Sequence, residues 1–271
     1  MSVFTLEASL ALLGLVLLLL EAFKPEISRR TLGYTAMAGT ALALVLLPAC
    51  GTQLPAFMQP WHQIDTLALF YKGFALVITL LVLWLTLECA PYLTRFTLDG
   101  KLAEMFSLPL IVCAGMMWMA SARDLVTVFI CLELVTISFY VLVAFARKSA
   151  LSLEAGVKYL ILGALSTGVL VYGIAWVYGA TGSMNFDAIG KALANPGTSK
   201  AAALFGAALI LAGLGFKVAA APFHMWVPDV YQGAPTPVTT FLSVGSKAAG
   251  FVVLTRALDA FTAKGSIIAD E

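Results

Sequence analysis

Long apolar runs separated by short polar breaks fill the chain almost from its first residue to about position 258. A run of about 20 apolar residues crosses the hydrocarbon core of a bilayer as a helix. Eight such spans are predicted: Val3–Phe23, Thr31–Ala49, Thr66–Ala90, Glu104–Ala120, Leu125–Ala146, Leu153–Tyr178, Ala201–Val227 and Pro237–Leu258. The third is long enough to tilt. The seventh is expected to break near Ala219–Pro222, because Gly213 and Gly215 precede that point and Pro222 sits within it. Of the connections, Cys50–Asp65 is rich in proline and aromatic residues, and Ala180–Lys200 contains a possible amphipathic turn at Phe186–Leu193. The pattern is that of an all-α polytopic membrane protein with a discontinuous seventh helix.

Composition supports this class. The chain has 271 residues, of which 61% are hydrophobic and 11% charged, against about 25% charged in soluble domains. A net charge of +1 offers no basic patch for nucleic acid. Cys50, Cys89, Cys113 and Cys131 lack CxxC spacing and lie in or beside apolar runs, so they read as packing residues. Two histidines, His62 and His224, make a multi-histidine metal site unexpected. No G-x-G-x-x-G, P-loop or CxxCH motif is present, so no cofactor is expected. The beginning lacks a basic leader and Glu7 precedes the apolar run, so the first helix is expected to be retained.

Lysine and arginine in short loops set orientation. Lys24, Arg29, Arg30, Arg95, Lys101, Arg147 and Lys148 fall on one side; Arg123, Lys191 and Lys200 fall on the other. Seven against three places the N-terminus, and after eight spans the C-terminus, on the outer side.

Candidate chemistry lies in the charges inside the spans. Glu133 is nine residues past Asp124, roughly 14 Å down a helix and near the midplane. Lys158, with Glu154 one turn before it, lies roughly 9 Å into span six. Span seven carries Lys217 alone, and span eight carries Lys247, roughly 15 Å past Pro237. A lysine within a span costs about 2.5–3.5 kcal/mol on insertion scales and usually marks an ion or proton route. Four successive spans thus bring an ionisable group below the surface. Lys217 is the natural counter-charge for Glu133. Gly245, Ser246, Ala248, Ala249 and Gly250 leave room for water and close approach around Lys247. A low-dielectric site disfavours the charged form of a lysine, so a row of such groups can pass a proton. His224, beyond the break, either carries a proton or hydrogen-bonds a freed carbonyl. Lys158 and Glu154 are equally consistent with snorkelling to the interface. Lys72, Glu7, Glu88 and Glu104 lie near span ends and read as interfacial, and Arg123–Asp124 reads as a surface pair with Asp124 capping span five.

Several stretches resemble a known family: Leu132-Glu133-Leu134, the run Glu154 to Ser166 with Lys158-Tyr159 and Gly163, the segment Gly215-Phe216-Lys217 through Pro222-Phe223-His224-Met225-Trp226-Val227-Pro228-Asp229-Val230-Tyr231, and Ser246-Lys247. They look like the antiporter-like membrane subunits of respiratory complex I, most of all the bacterial subunit-N branch, and the likeness covers essentially the whole chain. The resemblance implies Glu133 paired with Lys217, and a hydrated axis continued by Lys158 and Lys247. It implies a subunit of the bacterial inner membrane that moves protons, with the other membrane-arm subunits and the lipid bilayer as partners. NADH oxidation and quinone reduction would then occur in other subunits, with no redox centre here. The family fold it implies has two inverted five-helix repeats. The chain accordingly divides into a three-helix segment (1–103), a first repeat (104–260) and a polar end (261–271), with the second repeat expected to be absent. A subunit of a multi-subunit cation/proton antiporter or membrane-bound hydrogenase shares this helix pattern, and a non-pumping piece of the membrane arm is a further alternative. A stand-alone solute carrier is disfavoured by the short loops.

Overall fold

In the computed structural model, residues 2–24, 26–97, 100–195 and 197–262 are described. Their helices are α1 (Val3–Phe23), α2 (Arg29–Leu46), α3 (Thr66–Leu93), α4 (Ala103–Ala120), α5 (Leu125–Val143), α6 (Ala150–Thr181), α7 (Phe186–Leu193), α8 (Lys200–Val218), α9 (Val227–Gly233), α10 (Thr236–Phe241) and α11 (Lys247–Phe261). Among the described residues eight helical stretches are long and apolar enough to cross a membrane. The last of these runs from α10 through a wide π turn at Leu242–Ser246 into α11.

Why α1 packs where it does is visible in its stripe. Its buried residues are Val3, Leu6, Glu7, Leu10, Gly14, Leu17 and Glu21, a helical face repeating every three to four positions. Leu12, Leu15, Val16 and Leu19 on the other side are exposed. A helix that is apolar all round has no water-facing side, and its free face suits lipid or another protein. α4 forms the centre, with 14 of its 18 residues buried, and it packs against α1, α3 and α5. No side chain of its own caps its first turn. The buried carboxylate of Glu21 does so from α1, accepting from the N–H groups of Leu102 and Ala103 at 3.3 and 3.0 Å.

α6 and α8 form the tightest helix pair. A Cβ on Gly173 would lie 2.8 Å from the Gly206 carbonyl oxygen, and one on Gly206 would lie 2.9 Å from that of Gly173. The two backbones touch only because neither residue has a side chain.

The break of the seventh span is real, and it is longer than the sequence suggests. α8 stops at Val218, Ala219 turns into the left-handed region (φ 59°), and helix resumes only at Val227. The second half runs to Gly233, six residues past the predicted end. The freed backbone groups are reclaimed locally. Ala220 donates to the Gly215 carbonyl at 2.8 Å, and the Phe216 carbonyl accepts from Ala219 N–H at 3.1 Å and from the Trp226 indole N–H at 3.0 Å. This is how a helix can break at membrane depth without orphaned polar groups.

Candidate functional site

Three helices, α8, α5 and α6, supply the groups around Lys217 and Glu133. α8 ends one residue after Lys217, so the side chain projects from the last turn of a half-helix, where the carbonyl end of the helix favours a cation. Lys217 is 7% exposed. Its ammonium donates to Thr136 Oγ1 on α5 at 3.0 Å and lies 5.8 Å from the Phe216 ring centroid. Glu133 is one turn before Thr136 on the same helix and is half-buried. Its Oε1 accepts from Thr167 Oγ1 on α6 at 2.8 Å. The expected Glu133–Lys217 ion pair is therefore not closed. Each charge is held by a threonine hydroxyl, and the two threonine contacts leave acid and base as near neighbours across α5.

Beyond Lys217 runs a chain of rings. Tyr140 meets Tyr159 at 5.1 Å between centroids, Tyr159 meets Trp226 at 5.0 Å, and Trp226 meets Phe216 at 5.4 Å and Tyr231 at 6.2 Å. Lys247 closes the far end, its ammonium 5.4 Å from the Tyr231 ring centroid. Such a contact stabilises a cation by about 0.5–2 kcal/mol. Lys247 is half-buried and follows directly on the π turn, a feature that recurs at functional sites. The hydroxyls of Tyr140 and Tyr231 are buried and make no hydrogen bond to the described protein groups.

Lys158 lies apart from this centre. Its ammonium bridges Glu154 Oε1 and Asp229 Oδ2, each at 2.7 Å, and its side chain is 42% exposed. It thereby ties α6 to α9, the second half of the broken helix. It does not contact Lys217 or Lys247 directly. His224 departs furthest from expectation. It is exposed in the break, and its side chain makes no hydrogen bond to the described residues. Of its two expected roles, proton carriage or bonding a freed carbonyl, the second falls at the Phe216 carbonyl to the Trp226 indole, which is 3% exposed. Trp226 and Thr136 are the residues that the sequence reading passed over. Thr136 had a signal in its position one turn after Glu133; Trp226 had none beyond lying past the break.

Two further expectations need correction. Glu7 and Lys72 are not interfacial: they are 2% and 0% exposed and form an ion pair with each other. Arg123 does not pair with Asp124. It binds Asp187 at 2.7 Å, while Asp124 caps α5 by accepting from Val126 and Thr127 N–H, both at 2.9 Å. Among the described residues no group of three or more His, Cys, Asp or Glu side chains is gathered as a metal site would require.

Residues 122–269 match the family model described as NADH:quinone oxidoreductase/Mrp antiporter, TM. The chain belongs to this family. The "NADH-quinone oxidoreductase subunit N" of Desulforamulus reducens is 42% identical over 252 residues, covering 93% of this chain and 52% of that protein. The protein of the same name from Moorella thermoacetica is 43% identical over 254 residues, covering 93% and 52%. The chain spans about half the length of these curated relatives. Among solved structures, a chain of respiratory complex I from Thermus thermophilus with bound aureothin superimposes with TM-score 0.75 at 33% identity, covering 93% of this chain and 52% of that one. A chain of an archaeal membrane-bound sulfane sulfur reductase superimposes with TM-score 0.80 at 25% identity, covering 99% and 55%.

Proposed function

We propose that the chain acts as an antiporter-like, proton-translocating membrane subunit of a bacterial NADH:quinone oxidoreductase. In this reading it resides in the inner membrane with its N-terminus on the outer side, among the other subunits of the membrane arm. Electron transfer takes place in those subunits; this chain moves protons through Glu133, Lys217 and Lys247. The observation that carries the reading is a single buried lysine at the end of a broken half-helix, hydrogen-bonded one turn away from an acid at mid-membrane depth. The relatives' names and the complex I likeness support it.

Glu133 and Lys217 form the proposed switch. With Lys217 on Thr136 and Glu133 on Thr167, the pair is open. Movement of the ammonium by one helical turn closes it, and protonation of the carboxylate releases it again. A charge that moves in this way changes the proton affinity of Lys247 across the aromatic chain. Tyr140 and Tyr231 present hydroxyls that have no partner among the described residues, able to donate or accept as a proton passes. Lys158 modulates from α9 through Asp229, and His224 assists at the open face of the break. The segments 1–103 and 104–260 serve in this reading as a scaffold and a first repeat. The likeness to an archaeal respiratory membrane complex supports a second reading, a subunit of a related ion-translocating assembly that does not oxidise NADH.

The test uses inverted membrane vesicles with Lys217→Ala in the assembled complex, assembly being verified on a native gel. NADH oxidation and vesicle acidification are recorded together. Acidification is expected to fall by at least tenfold, with oxidation falling alongside it. Both rates at the unmodified level would make Lys217 a packing residue and refute the switch.

A further inference from the structure

At the end of the bundle where the chain begins, a second set of buried ionisable groups lies outside the proposed switch. Glu7 on α1 and Lys72 on α3 are paired inside the protein at 2% and 0% exposure. Lys72 also donates to Ser121 Oγ at 3.0 Å, at the end of α4. Ser121 Oγ lies 3.3 Å from His62 Nδ1 and donates to the Trp118 carbonyl at 3.1 Å. With its proton so engaged, the hydroxyl accepts from Lys72 and from a protonated His62 Nδ1, which leaves Nε2 as the acceptor of the ring. His62 in turn lines an open cavity of about 1010 Å³ whose wall includes Phe4, Trp61, Trp118, Asp124 and Thr127. The loop holding His62 is fixed to the α4–α5 turn by paired backbone contacts: Gln63 N–H to the Ser121 carbonyl and Arg123 N–H to the Trp61 carbonyl, both at 2.8 Å.

A buried ion pair is a poor device for stability, because apolar residues of similar volume serve as well or better. Here the pair is also wired, through one hydroxyl and one imidazole, to an open cavity. We propose that Glu7 and Lys72 form a second proton-exchange site, loaded from water in that cavity through His62 and Ser121. The step is a relay. A hydronium ion protonates His62 Nε2, and the Nδ1 proton passes to Ser121 Oγ. Lys72 first gives an ammonium proton to Glu7 Oε1, and the amine so formed takes the serine proton on its free lone pair as Ser121 Oγ receives the one from His62. One water is released in the cavity, one proton is gained as the Glu7 carboxylic acid, and Lys72 ends as it began, an ammonium.

The groups that bear on the site come from every element around it: Lys72 from α3, Cys113 from α4, Cys131 from α5 and Asp124 from the start of α5. Burial, reinforced by the Lys72 charge and only partly offset by Asp124, holds the His62 imidazole down to about 4. It is therefore neutral near pH 7 and passes protons without storing them. Storage falls to the pair behind it.

The experiment is infrared difference spectroscopy of the assembled complex in lipid nanodiscs, with the full-length subunit, no NADH and no quinone. It is thus independent of whether the chain pumps. Stepping from about pH 8 to about pH 5 is expected to produce a protonated-carboxyl band that Glu7→Gln abolishes. His62→Phe, which keeps a ring in the loop but carries no proton, is expected to slow the appearance of that band after a pH jump at least tenfold, within the range for removing a proton-transfer group. Should Glu7→Gln fail to accumulate, the His62→Phe kinetics decide alone, since that variant leaves the pair intact. No such band, a band unchanged by Glu7→Gln, or an unaltered rate in His62→Phe each overturns the proposal and leaves Glu7–Lys72 as a fixed structural pair.

Discussion

Thr136→Val isolates the contact on which the proposed switch depends. Valine matches threonine in shape and β-branching, so α5 keeps its packing, and the hydroxyl alone is lost. That hydroxyl accepts from Lys217 at 3.0 Å and donates to the Leu132 carbonyl at 2.6 Å. The carbonyl is a helix acceptor with its own backbone donor, so its loss is small. The ammonium is 7% exposed, with no other hydrogen-bond partner among the described residues. A hydrogen bond to a charged group contributes about 1.5–3 kcal/mol. At 1.4 kcal/mol per factor of ten, the open arrangement is destabilised about 10- to 150-fold relative to the closed one. If cycling between the two limits turnover, vesicle acidification falls by at least about tenfold while assembly is intact. Thr136→Ser, which restores the oxygen, recovers most of the rate. The assay is acidification in inverted vesicles against NADH oxidation, with complex content measured on the same membranes. A Thr136→Val complex that assembles and acidifies within about twofold of the unmodified one refutes the reasoning, since twofold corresponds to only about 0.4 kcal/mol. A Thr136→Ser complex as impaired as Thr136→Val refutes it as well, because packing would then be the cause.

Two predictions concern the scaffold. Gly173→Ala places a methyl 2.8 Å from backbone atoms of Gly206 and Ile210 and is expected to cost about 1–3 kcal/mol, read as a lowered thermal midpoint in detergent; Gly168→Ala, where nothing lies within 4 Å, serves as the control, and equal midpoints for the two remove the close-approach argument. Arg256→Gln breaks the paired contacts to Asp65 at 2.8 and 3.1 Å and the bond to the Ala120 carbonyl at 2.9 Å. Burial pushes the Asp65 carboxyl up, but the Arg256 hydrogen bond and the Ala68 N–H outweigh it and hold the group below its ordinary value. A lowered folded-state value stabilises above the unfolded value near 4 and is lost as pH falls through the folded one. The midpoint gap between the unmodified and Arg256→Gln proteins should therefore be constant above about pH 4 and narrow below it; a gap independent of pH excludes the carboxylate as its cause.

Much of the fold could be read from hydrophobic run lengths alone. The bilayer requires about 20 apolar residues per span, and a chain with so few charges has little other freedom. The cap at Asp124, which accepts the first N–H groups of α5, followed from local chemistry; the Asn185 cap of α7 shows only in the structure. The residue types of the candidate site could be read from the sequence, but not their partners. Which group Lys217 meets depends on helix rotation, and a one-turn difference decides between Glu133 and Thr136. Glu7 and Lys72 were misplaced for a related reason. Nearness to a span end along the sequence says nothing of whether another element covers that end, and here α4, Ser121 and the loop around His62 close over it. The length of the break was also hidden, because Phe223 to Met225 have no period that marks them as exposed.

Depth separates the four charges of the switch region by what they demand of their surroundings. α6 has 32 residues, about 48 Å at 1.5 Å per residue, well over the roughly 30 Å of the hydrocarbon core. Its ends therefore protrude, and Lys158, roughly 12 Å from the helix start, lies close to the core boundary. There its half-exposed bridge to Glu154 and Asp229 can meet water and headgroups at little cost. α5 has only 19 residues, about 28 Å, so Glu133 stays near the midplane. Its neighbours on the outward face, Ile130 and Ile137, are 59% and 56% exposed. A half-buried carboxylate between them cannot face lipid tails without a penalty of several kcal/mol. Thr167 satisfies one of its oxygens; the rest of the group needs a polar cover that the described residues do not supply. The edge of α5 beside Glu133 is thus where the physical case for a neighbouring membrane subunit, or for water held by one, is strongest. The same case at Lys158 is weak, although that lysine is the more exposed of the two.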